Sequence, residues 1–143
     1  MVDFYLLVAT VTLSIQLFVL VLLVTGYGFK RQKKYRRHGA LMFTAVVLHL
    51  ITVLIIMVPS FGVLVFTDTG LSATITAYAI IHGVLGLITL VLGIWIAFAW
   101  RFRQSLQYCA PKKLVMRATL ILWVITIAAG IIMYFSLYNP FMA

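Results

Sequence analysis

The sequence predicts an all-α fold, a four-helix bundle that is integral to a membrane. Its 143 residues are 65% hydrophobic and only 9% charged, and their mean hydropathy is +1.19. A water-soluble domain of this size needs far more polar surface, so we expect lipid to be the solvent for most of the chain. The length suits a single transmembrane domain over residues 1–143.

Four apolar segments are predicted to form the membrane-crossing helices. Each reaches the roughly 20 residues that an α-helix needs to cross a hydrocarbon core of about 30 Å. Lipid offers backbone groups no other partner, so we expect uninterrupted helices. Pro59 is predicted to end the second helix, before a short outer loop over residues 61–70. The segments cover approximately residues 4–28, 39–58, 71–100 and 114–138.

The charge distribution predicts the orientation of the bundle. The formal net charge is +9, and all eleven Lys and Arg residues fall in two windows, residues 30–37 and 101–117. Short connections make successive helices alternate in direction, which puts both windows on one side and Asp3 and Asp68 on the other. By the positive-inside rule, we expect the basic loops in the cytoplasm and both termini outside. Charges placed in this way favour the lipid bilayer as their partner, and not nucleic acid.

Each predicted helix has one stripe of polar or small residues, as expected of a face that points into a bundle. In the third helix the stripe contains His82, Gly86 and Gly93, at spacings of four and seven residues. Glycines on this face would allow the close approach of another helix, or of a flat ring such as a porphyrin. The stripes could also be packing faces alone.

The three histidines are the candidate ligands for a metal or haem, because polar side chains within a membrane helix are expensive and point to function. A rise of 1.5 Å per residue places His38 about 2 Å, His49 about 18 Å and His82 about 28 Å from the cytoplasmic level. His49 and His82 are therefore the plausible axial pair for haem b. Gln16 lies near the depth of His49 and could accept a hydrogen bond from its ring.

Copper is the alternative cofactor. His38 and Met42 are one helical turn apart, and a thioether with an imidazole suits cuprous ion. The candidate metal ligands are thus His38, Met42, His49 and His82. A different reading is a non-catalytic accessory subunit whose histidines only hydrogen-bond between helices. A transporter or channel is less favoured, since nothing lines a charged pathway.

Enzymatic motifs are missing from the sequence. It has no Cys-x-x-Cys pair, no pair of carboxylates and no glycine-rich phosphate loop. We therefore expect no hydrolytic or phosphoryl-transfer activity. The single cysteine, Cys109, excludes an intramolecular disulfide.

Three stretches resemble small membrane proteins of the CtaM/YozB type. They are RHGALMFTA (residues 37–45), IIHGVLG (80–86) and the closing helix RATLILWVITIAAGIIMY (117–134). Characterised members of that family are tied to the assembly of haem–copper respiratory oxidases. The resemblance therefore implies a role in respiratory-chain biogenesis or electron transfer. Besides the lipid bilayer, we expect a respiratory oxidase complex or a second copy of the chain, in a homo-oligomer, as partner. The matching positions are His38, Met42, His82 and Arg117, whereas His49 lies outside the family pattern.

Overall fold

The computed structural model describes residues 2–66, 73–102 and 113–138. Within these ranges the chain is helical except for a short turn at residues 32–34. Asp68 and Cys109 lie outside the described residues, as does most of the second basic window.

Five α-helices and one π-helical turn make up the described chain, and four stretches of it are long and apolar enough to cross a membrane. The all-α, four-helix prediction is confirmed. The elements are α1 (Val2–Arg31), α2 (Tyr35–Thr52), the π-helical turn (Val53–Met57), α3 (Val58–Phe66), α4 (Ala73–Phe102) and α5 (Lys113–Tyr138).

The spanning helices close into a ring around one core. Helix α1 packs along α2, α2 against α4, and α4 against α5, which returns to contact α1. Large apolar side chains on the outer faces, such as Phe18, Ile88 and Ile125, are about half exposed or more, with values of 55%, 46% and 49%. Such an outer surface suits lipid. The core is built from Val19, Leu23, Ala45, Val46, Ala97, Trp123 and Ile127.

The turn between α1 and α2 makes these helices antiparallel neighbours. Lys33 has a positive φ of 59°. The Lys34 amide donates to the Phe29 carbonyl (3.0 Å), and the Lys33 amide donates to the Lys30 carbonyl (3.1 Å). This pattern is a Schellman cap, which satisfies carbonyls at the end of α1 and reverses the chain within a few residues.

The second spanning segment does not end at Pro59, so that prediction was wrong. A π-helical turn precedes the proline, and the Val58 amide donates to the Val53 carbonyl, five residues back. Proline lacks an amide hydrogen, and its ring clashes with the carbonyl four residues earlier in a regular α-helix. A wider π turn relieves that clash, so the helical path continues.

Helix α3 extends this segment into the predicted outer loop. Residues 61–66 are helical, and the rest of that loop lies outside the described residues. The Phe61 ring packs on α4, where a Cβ added to Gly83 would lie 3.1 Å from Phe61 Cε2. This tertiary contact stabilises the helix beyond the proline.

Candidate functional site

Gln16 of α1 and His49 of α2 form the centre of a buried polar cluster. Their exposed fractions are 6% and 3%, and His49 Nδ1 lies 3.0 Å from Gln16 Oε1. An amide oxygen can only accept, so the His49 Nδ1–H donates and Nε2 of the neutral ring carries the lone pair. The structure thus brings together Gln16 and His49, which the helical rise per residue had placed at similar depths in the membrane.

Trp123 of α5 covers the other side of His49. The two ring centroids are 5.0 Å apart, and the planes meet at 51°. The same indole packs against α4, since a Cβ added to Gly93 would lie 3.3 Å from Trp123 Cζ3. Trp123 therefore fills the space between His49 and the Gly93 backbone.

His82 of α4 contacts α5 two helical turns further along that helix than Trp123. Its ring rests on the backbone of α5, where a Cβ added to Gly130 would stand 3.0 Å from His82 Cε1.

The glycine stripe of α4 serves helix packing. Besides the contact at Gly93, a Cβ added to Gly86 would lie 3.7 Å from Thr126 Cγ2. From the sequence, Gly86 and Gly93 could allow either a helix or a porphyrin to approach closely. In the structure, side chains of helix α5 lie against both glycines. A porphyrin placed against Gly86 would have to displace α5.

Several buried nitrogen atoms in the described part of the chain have no hydrogen-bond partner. An orphaned buried polar group costs about 1–3 kcal/mol, so three such imidazole nitrogens make a large local cost. Within the same residues, no group of three or more His, Cys, Asp and Glu could hold a metal ion. A metal bound here would use one or two imidazoles with other donors. The orphaned atoms are Gln16 Nε2, His38 Nε2, His49 Nε2, His82 Nδ1 and Trp123 Nε1.

His38 lies in different surroundings, in a cavity at the basic end of the bundle. The cavity has a volume of ≈ 610 Å³, is partly open, and is lined by His38, Met42 and Trp123 among others. His38 Nδ1 lies 2.8 Å from the Gly26 carbonyl oxygen. That oxygen can only accept, which again leaves Nε2 as the unprotonated nitrogen of a neutral ring.

The predicted pair His38 and Met42 shares a further neighbour. A Cβ added to Gly26 would stand 2.7 Å from Met42 Cε and 3.8 Å from His38 Nδ1. On the facing side, the Trp100 ring lies directly against Gly39. The sequence analysis gave no role to Gly26 or Trp100, because spacing along one helix cannot reveal contacts between two helices.

Scans against protein-family models and searches of curated proteins and solved structures find no match to this chain.

Proposed function

We propose that the protein is a multi-pass cell-membrane protein that binds a redox-active metal cofactor, haem b or copper, through its intramembrane histidines. The single observation behind this proposal is that His38, His49 and His82 each keep one buried ring nitrogen without a hydrogen-bond partner. Ligation of a metal would satisfy such an atom. Either cofactor would supply a one-electron couple.

The His49–His82 pair has the right donors for a metal. The Gln16 amide holds the other nitrogen of His49, which is the usual arrangement for a metal-binding imidazole. Helix α5 packs against the neighbouring Gly86, so a porphyrin does not fit there as packed, and we assign the copper alternative to these two histidines. Imidazole nitrogen suits copper in this place.

The biological setting that we propose is respiratory-chain biogenesis or electron transfer, with the basic loops in the cytoplasm. The resemblance of residues 37–45, 80–86 and 117–134 to oxidase assembly factors supports the setting, and the two basic windows support the orientation.

An absorption spectrum of the purified protein, first oxidised and then reduced with dithionite, tests the proposal together with metal analysis. Protein from cells supplied with haem and copper should carry one of them. His49→Ala and His82→Ala should lower the copper content if copper occupies the core pair. Protein that lacks both cofactors after such expression would overturn the proposal.

A second candidate function is that of an accessory subunit whose histidines only fix helix packing. The hydrogen bond from His49 to Gln16 and the contact of the His49 ring with the Trp123 ring favour it. In that case His49→Ala should lower the unfolding free energy, and no His variant should change the cofactor content.

A further inference from the structure

We infer that the cavity at the basic end is a binding site for an anionic phospholipid of the adjoining leaflet. The lipid phosphate lies among the basic side chains at the mouth of the cavity, and one acyl chain lies in the apolar interior. This site does not use the metal-binding histidines, so the inference stands or falls apart from the proposed function. It follows from the position of the cavity, the charge of its mouth and the chemistry of its interior.

The cavity lies between the helices and extends over about one leaflet. All four spanning helices contribute to its lining, and its volume is ≈ 610 Å³. On α5 the lining runs from Lys113 to Trp123, which is a rise of about 15 Å. The hydrocarbon core of a bilayer is about 30 Å thick, so the cavity reaches from the headgroup level to near the middle of the membrane. An acyl chain of that leaflet covers the same depth.

Aromatic side chains place the mouth of the cavity at the headgroup level. Tyr27, Tyr35 and Trp100 line the cavity near the ends of α1, α2 and α4. Tyr and Trp are enriched where a membrane helix meets the headgroups, because their rings are apolar at one end and polar at the other. The basic residues beside them are therefore at the depth of the lipid phosphates.

The charge of the mouth suits an anion. Lys30, Arg36, Lys113 and Arg117 line it, and the described lining residues include no Asp or Glu. The whole chain has eleven Lys and Arg but only two Asp and Glu, so its own carboxylates cannot neutralise this end. Phosphate oxygens accept charge-assisted hydrogen bonds from such side chains, and basic pockets between membrane helices bind anionic headgroups.

The interior of the cavity suits an acyl chain and not a soluble anion. Further along the same helices, away from the basic residues, the lining is apolar. His38 offers the ligand no nitrogen, because its Nδ1 lies 2.8 Å from the Gly26 carbonyl oxygen and its Nε2 is buried. A soluble anion would use the basic residues and leave the apolar part empty. The apolar lining includes Leu23, Val46, Ile96, Ala97 and Leu120.

The headgroup determines which lipid binds. Lipid tails are as apolar as the side chains of the interior, so an acyl chain gains little when it moves from the bilayer into the cavity. The preference therefore comes from the contacts between the phosphate and the basic side chains. Phosphatidylglycerol, with a net negative charge, should bind better than phosphatidylcholine, whose choline adds a positive charge near those side chains.

Quenching of tryptophan fluorescence tests the position and the preference together. Trp100 and Trp123 line the cavity, whereas Trp95, the third tryptophan, is 49% exposed. In a Trp95→Phe protein, the emission therefore comes from the cavity alone. In nanodiscs of phosphatidylcholine, a small fraction of phosphatidylglycerol with brominated acyl chains should quench this emission more than the same fraction of brominated phosphatidylcholine. Equal quenching by the two lipids would overturn the inference.

Charge variants in the same background test the mouth. Lys113→Gln/Arg117→Gln should lower the preference for phosphatidylglycerol about tenfold, because two contacts with the phosphate are lost. The control Arg31→Gln/Lys33→Gln removes the same charge from residues that do not line the cavity, and it should keep the preference. Equal preferences in the two double variants would show that the charge acts from anywhere at this end, and would overturn the inference.

A further pair of variants tests the cavity by volume. Ile96→Trp fills the interior and should abolish the phosphatidylglycerol that the purified protein retains in native mass spectrometry. Ile125→Trp, at a position that is 49% exposed, should retain it. Lipid retained equally by a folded Ile96→Trp protein would place the lipid on the outer surface and overturn the inference.

Competition with inorganic phosphate distinguishes the lipid from a soluble anion. Millimolar phosphate should leave the quenching by brominated phosphatidylglycerol unchanged, because the bilayer holds the lipid headgroup at a high effective concentration beside the mouth. Loss of the quenching in phosphate, with no loss in the same concentration of an uncharged solute, would assign the mouth to a soluble anion and overturn the inference.

Discussion

The two regions that contain histidines differ in what they offer a cofactor. The core cluster has two imidazoles with free nitrogens, but α5 fills the space around them. The basic end has one imidazole beside a cavity of ≈ 610 Å³. The difference teaches that a ligand atom alone does not define a haem site in a packed bundle. Space of the right size, close to that atom, is equally required.

The largest effect is expected from a test of where the cavity opens. In a Cys109→Ser background, Gln32→Cys in the α1–α2 turn should resist a membrane-impermeant maleimide in intact cells, whereas Thr69→Cys should react. The basic windows predict this all-or-none result. Labelling of Gln32→Cys from outside would reverse the orientation of the bundle, and the cavity would then open toward the opposite compartment.

Gly39→Val should strongly destabilise the basic end and leave the core cluster intact. The Trp100 ring lies against Gly39, so a branched side chain must push α2 away from α4. Overpacking of this kind costs about 1–3 kcal/mol or more. Gly28→Val is the matched control, since nothing lies within 4 Å of a Cβ added there. The unfolding free energies of the two variants are measured in a series of denaturing detergent concentrations. Equal values would contradict the contact between Trp100 and Gly39.

Gln16→Leu should affect the core cluster alone. The substitution leaves His49 Nδ1 without its acceptor, at a cost of about 1–3 kcal/mol for a buried polar group. Ser14→Ala, whose hydroxyl only donates to the Thr10 carbonyl of its own helix, serves as control. Unfolding free energies of the two variants should differ by about that amount. Equal unfolding free energies in the two variants would contradict the hydrogen bond from His49 to Gln16.

The sequence was sufficient for the architecture because four long apolar segments have few alternatives in lipid. It also paired Gln16 with His49, since depth along straight helices is simple arithmetic. It failed at Pro59, where a π turn changed the local geometry. The sequence also could not decide whether the glycines of α4 serve helix packing or make room for a flat cofactor, because that depends on which helix faces them.

The smallest effect is expected from the threonine pair inside the core. Thr89 Oγ1 and Thr126 Oγ1 are 3.3 Å apart, yet each hydroxyl already donates within its own helix. Thr89 donates to the Leu85 carbonyl (2.8 Å), and Thr126 to the Leu122 carbonyl (2.9 Å). A hydroxyl has one hydrogen, so neither has one left for the other.

A double-mutant cycle with Thr89→Val and Thr126→Val should therefore give a coupling energy below the average of about 0.6 kcal/mol for polar contacts between membrane helices. Valine keeps the shape of threonine, so the cycle reports on the hydroxyls and not on a cavity. A coupling above about 1 kcal/mol would mean that one hydroxyl turns toward the other helix. The core would then contain two hydrogen bonds between helices, one from His49 to Gln16 and one between Thr89 and Thr126.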